Sequence, residues 1–148
     1  MGDIKKILAT TDLSDQSLPG VLQAASLARR LDARVALLYV LEDHLPPIIM
    51  FTTEEDRAGL LEEHRERAAG KLREYAESHL AGCESETAAV VGVADREIVR
   101  YAKENGVDLI VMASHGYGPV RQLVLGSTTE RVLHHASCPV LVIPSKVG

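Results

Sequence analysis

The stretch from residue 114 to residue 129 combines residue types that bind anions. Its sequence is S-H-G-Y-G-P-V-R-Q-L-V-L-G-S-T-T. Glycines such as Gly116 allow backbone conformations that other residues avoid, and they let a ligand approach the chain closely. Gly126 and Ser127 open a segment with helical spacing, and the first N–H groups of a helix are unpaired and lie at its positive end. The pattern therefore predicts a phosphate site, to which the hydroxyls of Ser127 and Thr128 would add hydrogen bonds.

A purely structural interpretation of the same stretch stays open. Gly-Ser is also an ordinary helix start, and a glycine-rich loop is often only a turn. The stretch is not a Walker A motif, because it contains no Gly-Lys-Ser/Thr. It is not G-x-G-x-x-G either, because Arg121 stands where the third glycine would be. The residues alone thus leave a phosphate site and a simple turn as alternatives.

Asp12, directly after the first apolar run, is the second candidate for chemistry. A carboxylate at this place can accept hydrogen bonds from ribose hydroxyls, or hold a divalent cation beside phosphates. Aspartate is also a common helix cap, so Asp12 capping the first helix is an equal alternative.

Alternating strand and helix patterns must position these two loops. Apolar runs predict strands over residues 4–11, 33–41, 87–91, 107–113 and 139–143. Helical spacing of apolar residues predicts helices over 17–31, 54–80, 95–105 and 127–136. Strands that are apolar throughout are typical of an α/β protein with one open parallel sheet covered by helices on both faces.

The predicted strand order explains why the two loops would meet. Right-handed crossovers give the order 3-2-1-4-5 for the five strands. The sheet then reverses between strands one and four, and ligands of open parallel sheets bind outside the carboxyl ends of the strands at such a reversal. The loop over 11–15 should therefore face the loop over 114–126. We find no domain boundary or repeat, so a single domain over 1–148 is predicted.

Composition excludes some classes of function. The net charge is -5, whereas a protein that grips nucleic acid or an anionic membrane needs a basic face. No apolar stretch approaches the length of a membrane span, and the N-terminus lacks a signal-peptide core, so a cytoplasmic location is expected. Cys83 and Cys138 have no metal-ligand spacing and are expected to be reduced thiols, Cys138 as inert packing.

The histidines do not predict a metal or catalytic site. His134 and His135 are adjacent on a predicted helix, so they point in different directions and cannot chelate one ion. His115 would contact a phosphate or cap a backbone group. No nucleophile motif of the G-x-S-x-G type occurs, and no catalytic residue is assigned.

Four segments resemble the universal stress protein family and together cover nearly the whole chain. They are KKILATTDLSD, LLYV, DLIVMASHG and LGSTTERVLHHASCPVLVIP. The ATP-binding branch of that family carries Gly, two residues, Gly, nine residues, then Gly followed by Ser or Thr. Here Gly116 is followed by nine residues and then by Gly126 and Ser127. The sequence departs from the signature at its first position, where Ala113 replaces glycine.

The resemblance implies ATP as the ligand, with Mg²⁺ or Mn²⁺ bridging its phosphates. Asp12 would contact the ribose or the phosphate-bound metal, and the backbone of Val40 the adenine edge. The phosphates would be held by Gly116, Gly126, Ser127 and Thr128. The floor would be formed by Ala9, Thr10 and Thr11, and the wall by Met112, Ala113, Ser114 and His115. The resemblance also implies a homodimer in which the last strand, Val140 to Ile143, pairs with its mate, which fits the need to cover an apolar edge strand.

These expectations describe a cytoplasmic sensor or regulator of the stress response. Two alternatives remain. The departure at Ala113 allows a scaffold that binds no nucleotide and acts through an unknown protein partner. A slow ATPase or a nucleotidyl-transferring enzyme is the other, although the sequence positions no general base and the phosphate loop contains no lysine.

Overall fold

A computed structural model describes residues 2–43, 53–114 and 125–144 of the chain. In these ranges strands and helices alternate from end to end. The strands are β1 Lys6–Thr10, β2 Arg34–Leu41, β3 Ser85–Val91, β4 Leu109–Ser114 and β5 Val140–Pro144. The helices are α1 Leu18–Leu31, α2 Glu54–His79, α3 Ala94–Glu104 and α4 Ser127–His135. Each predicted element is present, with bounds that differ by up to two residues.

The five strands form one parallel sheet in the order β3-β2-β1-β4-β5, which confirms the predicted order. β1 is the central strand, and it pairs on one side with β2, where Thr10 is opposite Leu38. On its other side it pairs with β4, where Ala9 is opposite Val111. The strand order reverses beside β1, and the helices that follow β1 and β4, α1 and α4, pack on opposite faces of the sheet.

Local chemistry explains where the helices begin and end. The hydroxyl of Thr53 accepts a hydrogen bond from the Asp56 N–H at 3.0 Å, which caps the start of α2. Pro19 lies in the first turn of α1, where no N–H is required. α2 ends at His79, and Gly82 lies three residues later in the connection to β3. Its φ of 85° is in the left-handed region that favours glycine.

The sheet separates two hydrophobic clusters because side chains alternate along each strand. One cluster joins α1 and α2 to the sheet and contains Ile7, Ala9, Val35, Leu37 and Val111. The other joins α3 and α4 to the opposite face and contains Leu8, Ala36, Leu38, Ile110 and Met112. Helices therefore cover both faces, as predicted. Cys83 packs against the first cluster and Cys138 against the second, so the sheet stands between the two thiols.

A carboxylate replaces ladder hydrogen bonds at the amino end of the central strands. Oδ2 of Asp108 accepts hydrogen bonds from the N–H groups of Lys5 and Lys6 at 2.9 and 3.0 Å. The N–H of Val107 instead donates to the Ala102 carbonyl and closes the end of α3. β1 and β4 thus begin two residues later than their apolar runs indicate.

At the amino end of the sheet, an ion pair joins the central strand β1 to the edge strand β3. Lys6 Nζ lies 2.6 Å from Glu86 Oε1, and the Tyr101 hydroxyl lies 3.4 Å from the same oxygen. The hydrogen bond from Lys6 lowers the pKa of the Glu86 carboxyl below its usual value. Burial, together with the Glu86 charge, raises the pKa of Tyr101.

No helix in the described ranges is long and apolar enough to cross a membrane.

Burial raises the pKa of the Cys138 thiol, with a further contribution from Asp108. A raised pKa keeps this thiol protonated and poorly nucleophilic, which agrees with a packing role.

Close packing of α1 on β4 depends on Gly20. A Cβ at this position would lie 2.9 Å from the Ala113 nitrogen and 3.2 Å from the Met112 carbonyl carbon. We expect Gly20→Ala to lower the free energy of unfolding by about 1–3 kcal/mol, because backbone atoms of a central strand would have to move. Urea unfolding followed by circular dichroism measures this change.

The same substitution at Gly70 in α2 is the matched control. A Cβ there meets only the end of the Arg73 side chain at 3.8 Å. Gly70→Ala should raise the free energy of unfolding by about 0.5–1 kcal/mol through helix propensity. A Gly20→Ala variant as stable as Gly70→Ala would contradict the packing argument.

Glu86→Gln tests the ion pair through its pH dependence. Because folding lowers the pKa of Glu86, the pair stabilises the native state above the usual pKa of 4.5 and this contribution is lost as pH falls through the lowered pKa. The Glu86 side chain is 41% exposed, so we expect a loss of only about 0.5–1 kcal/mol at pH 7. Unfolding curves at decreasing pH should converge with those of the parent, whereas a constant difference would refute the assignment.

Candidate functional site

A cleft of about 420 Å³ lies at the carboxyl ends of the central strands, on the face covered by α3 and α4. Residues at the ends of β1, β2 and β4 line one side of it, and the starts of α3 and α4 line the other. This is the place where the sheet order reverses between β1 and β4. The volume falls within the range of small-molecule sites.

Nine of the residues predicted for the site line this cleft. They are Thr10, Thr11, Asp12, Val40, Met112, Ala113, Gly126, Ser127 and Thr128. Ala9 is fully buried in the cluster beneath α1 and α2 and does not line the cleft. Ser114 is 2% exposed and is also absent from the lining. His115 and Gly116 lie outside the described residues.

The turn after β1 is held by a buried pair of hydroxyls. Thr11 Oγ1 accepts a hydrogen bond from the Leu13 N–H at 2.9 Å and lies 2.7 Å from Ser17 Oγ. The Ser17 hydroxyl donates to the Ser14 carbonyl at 2.9 Å, so Thr11 is the donor to Ser17. These bonds support Leu13 at φ 68°, a left-handed conformation that leucine rarely adopts. Strain of this kind persists only where the surroundings fix the backbone.

The same turn orients the Asp12 carboxylate. Its Oδ1 accepts the Ser14 N–H at 2.9 Å and also contacts the Ser14 hydroxyl. The interpretation of Asp12 as the cap of α1 is wrong, because Ser17 occupies the N-cap position and the helix begins at Leu18. Asp12 therefore belongs to the turn and lines the cleft.

The start of α4 presents backbone donors to the cleft. Gly126 occupies the N-cap position with φ -63° and ψ 155°, and it has no side chain with which to cap the helix. The N–H groups of Ser127, Thr128 and Thr129 are the first three of the helix and have no partner within it. All four residues line the cleft. The interpretation of Gly-Ser as a helix start is confirmed, with Gly126 as the N-cap residue and Ser127 as the first helical residue.

Ala113 does not require the conformational freedom of a glycine. It lies in the extended strand β4, opposite Ile143 of β5. The described non-glycine residues with positive φ are Leu13 and Asp32, so Ala113 has a backbone that L-residues adopt without strain. Ala113 is among the residues that line the cleft, and alternation along β4 turns its side chain to the face covered by α1.

Seven lining residues were missed by the sequence analysis: Leu38, Tyr39, Leu41, Glu42, Ala94, Ile98 and Thr129. Most of them make the wall between β2 and α3 apolar. Ile98 is 3% exposed and also belongs to the hydrophobic cluster beneath α3 and α4. The sequence feature that could have indicated some of these residues is the segment LYVLE, residues 38–42. It lies at the carboxyl end of a strand next to the point where the strand order reverses.

Charge in the cleft is divided between its two ends. Asp12 and Glu42 bring carboxylates to the strand side, whereas the α4 terminus supplies the positive end of a helix dipole. Within residues 2–43, 53–114 and 125–144, no three His, Cys, Asp or Glu residues are grouped so as to hold a metal ion. A cation at this cleft would therefore need ligands from a bound anion in addition to protein carboxylates.

Thr11→Val tests the hydroxyl pair. The substitution keeps the side-chain volume but leaves the Leu13 N–H and the Ser17 hydroxyl without their partner. We expect the free energy of unfolding to fall by about 1–3 kcal/mol, since buried polar groups would be unsatisfied. Thr87→Val, the same change on the edge strand β3, is the control. Equal urea midpoints for the two variants would disprove the role of the pair.

Comparisons with known proteins agree with this fold. The family model described as "Universal stress protein family" matches residues 3–144. Universal stress protein MJ0531 of Methanocaldococcus jannaschii is 37% identical, with 94% of this chain and 81% of that protein covered. The solved structure of MJ0577, from the same organism, has a TM-score of 0.82 at 31% identity, covering 99% of this chain and 100% of that one.

A more distant universal stress protein, solved in complex with cAMP, has a TM-score of 0.69 at 21% identity. The match covers 98% of this chain and 100% of that chain, and at this identity it shows the fold alone. The family model and MJ0531 together carry the assignment. This chain belongs to the universal stress protein family.

Proposed function

We propose that this universal stress protein binds ATP in the cleft between β1 and β4 and acts as a nucleotide-dependent regulator. One observation carries the proposal: an apolar pocket and an uncapped helix N-terminus open into the same cleft. An adenine nucleotide has the matching distribution, with an apolar aromatic base at one end and a polyanion at the other.

The start of α4 is the phosphate end of the proposed site. The backbone N–H groups of Ser127, Thr128 and Thr129 would donate to phosphate oxygens, and the hydroxyls of Ser127 and Thr128 would add further hydrogen bonds. The positive end of the helix dipole favours a negative charge at this place. Gly126 leaves room for the phosphate, because no side chain competes for the same donors.

The wall between β2 and α3 is the base end. Leu38, Ile98 and Met112 offer apolar surface to the faces of a purine. The backbone of Val40 would hydrogen-bond the polar edge of adenine, as the family resemblance implies. Burial of the base on this surface would supply most of the affinity, while backbone contacts would supply the selectivity.

Asp12 lies between these two ends. Its carboxylate, oriented by Ser14, would accept hydrogen bonds from the ribose hydroxyls or bind a phosphate-bound Mg²⁺ or Mn²⁺. A hard divalent cation prefers carboxylate, phosphate and water oxygens, so one protein carboxylate together with the nucleotide suffices. The metal would neutralise phosphate charge beside the second carboxylate, Glu42.

Two further points support an adenine nucleotide. Ala113 has an extended backbone that an L-residue adopts without strain, so the departure from the signature is compatible with a nucleotide in the cleft. A universal stress protein of the same fold was solved in complex with cAMP, which carries the same base and ribose. The described lining contains no histidine, cysteine or lysine, which favours binding over rapid turnover.

The regulator would be a cytoplasmic homodimer formed through β5. This strand is at the edge of the sheet, and its Leu141 is 36% exposed. Pairing with the same strand of a second copy would cover an apolar edge that otherwise invites aggregation.

Gly126→Asp tests ATP binding without threatening the fold. The backbone angles at Gly126 suit an N-cap aspartate, so the carboxylate would bond the first N–H groups of α4 and take the place of the phosphate. We expect the variant to melt at or above the temperature of the empty parent and to lose its response to Mg·ATP. The parent should gain about 2.7 kcal/mol at ATP concentrations a hundred times Kd.

Gly59→Asp, on the exposed side of α2, is the matched control, because a side chain there meets nothing within 4 Å. This variant should respond to Mg·ATP as the parent does. Chromatography of the heat-denatured parent should also reveal co-purified nucleotide. A parent that is empty and does not melt at a higher temperature with added Mg·ATP would overturn the proposal and favour the scaffold alternative.

A further inference from the structure

A second concavity, a groove of about 810 Å³, lies between α3 and α4. It is separate from the cleft, because the two are lined by different residues of these helices. Arg96, Arg100 and Lys103 form one wall of the groove, four and three residues apart on one face of α3. Arg131 and His135, four residues apart on α4, form the other wall. The proposed nucleotide site does not use any of these side chains.

The groove is positive in a protein that is negative overall. It gathers four of the 16 Lys and Arg residues, while the chain carries a net charge of -5. Asp95 and Glu104 are the acidic residues in its lining, so cations outnumber carboxylates two to one. An uneven distribution of this kind creates a local positive potential that attracts anionic groups.

Most of these cations lack a partner within the described chain. Arg100 pairs with Glu97, one helical turn before it. Arg96, Lys103 and Arg131 form no ion pair with any residue in the described ranges. Like charges three or four residues apart on a helix repel each other. An anionic ligand in the groove would therefore gain from all three of these side chains, and it would also offset the repulsion of Arg100 by Arg96 and Lys103.

The groove also offers apolar surface. Val93 at the start of α3 is 47% exposed, and Val99 lies in the lining one and a half turns further along. Cations beside the exposed Val93 and the partly buried Val99 fit a ligand that combines carboxylates with aliphatic side chains. A nucleic acid has no aliphatic side chains, and a long polyanion would also meet the negative charge of the rest of the protein.

We propose that this groove is a docking site for an acidic segment of a partner protein. Glutamate or aspartate side chains of the segment pair with Arg96, Lys103 and Arg131, and an aliphatic side chain packs on Val93 and Val99. The proposal goes beyond nucleotide binding and does not require it, since the groove has its own residues. The partner protein would thus bind to the surface that α3 and α4 form together.

The test uses a fluorescein-labelled peptide of ten glutamates and two leucines, titrated with the full chain and followed by fluorescence anisotropy. We expect saturable binding at low salt that weakens as ionic strength rises, because exposed charges are screened. The double variant Arg96→Glu, Arg131→Glu should bind at least tenfold more weakly. The control Arg67→Glu, Arg73→Glu on α2 changes the net charge equally and should bind as the parent does.

Three results would overturn the proposal. One is a parent that does not bind the peptide, and another is an equal loss of binding in the groove and control variants. The third is equal or tighter binding of a single-stranded RNA or of phosphatidylserine vesicles with the same dependence on Arg96 and Arg131. Circular dichroism shows whether the groove variant is folded, and the milder pair Arg96→Gln, Arg131→Gln replaces it if it is not. Melting with Mg·ATP, measured on the same samples, separates failure here from failure of nucleotide binding.

Discussion

The central position of β1 is the constraint on which the rest of the structure depends. This strand pairs in parallel with β2 on one side and with β4 on the other, although the latter is separated from it by about a hundred residues. Parallel neighbours need crossover connections: α1 joins β1 to β2, and α3 joins β3 to β4 on the other side of β1. The helices that follow β1 and β4 therefore cover opposite faces of the sheet, and the cleft lies at the carboxyl ends of these two strands.

The two sides of the cleft are built by different means. On the β1 side, a short irregular turn is fixed by side-chain hydrogen bonds among Thr11, Ser14 and Ser17, and one residue of it is held in a left-handed conformation. On the opposite side, the donors belong to the backbone of a helix end and are placed by the packing of α4 on the sheet. A ligand in the cleft would thus meet rigid groups on both sides and lose little free energy in ordering them.

The fold could be predicted because the three inner strands contain continuous apolar runs and because strand and helix patterns alternate along the chain. Strand bounds were less predictable. The apolar runs around Ile4 and Val107 continue past the points where Asp108 and the α3 carbonyls capture the backbone N–H groups. The start of β1 is decided by a side chain about a hundred residues away, and the start of β4 by a carbonyl of the preceding helix. The spacing of apolar residues carries no information about either hydrogen bond.

Prediction of the site was limited in the same way. Nine of the residues predicted from the family pattern line the cleft. Ala9 does not, because the pattern assigned Ala9, Thr10 and Thr11 to the site together. Alternation along β1 turns Ala9 to the α1 face and Thr10 to the cleft. Ala94 and Ile98 were missed because their place in the lining depends on where α3 crosses the sheet. That crossing is set by packing between distant elements.

The long separation between β1 and β4 also has a consequence during synthesis. The carboxylate of Asp108 accepts hydrogen bonds from residues 103 and 102 positions earlier, and β1 has only one neighbour until this segment leaves the ribosome. At ordinary rates of translation the delay is roughly 5–20 seconds. Throughout that interval the nascent chain exposes an apolar strand with one bare edge, which is the kind of surface that chaperones shield.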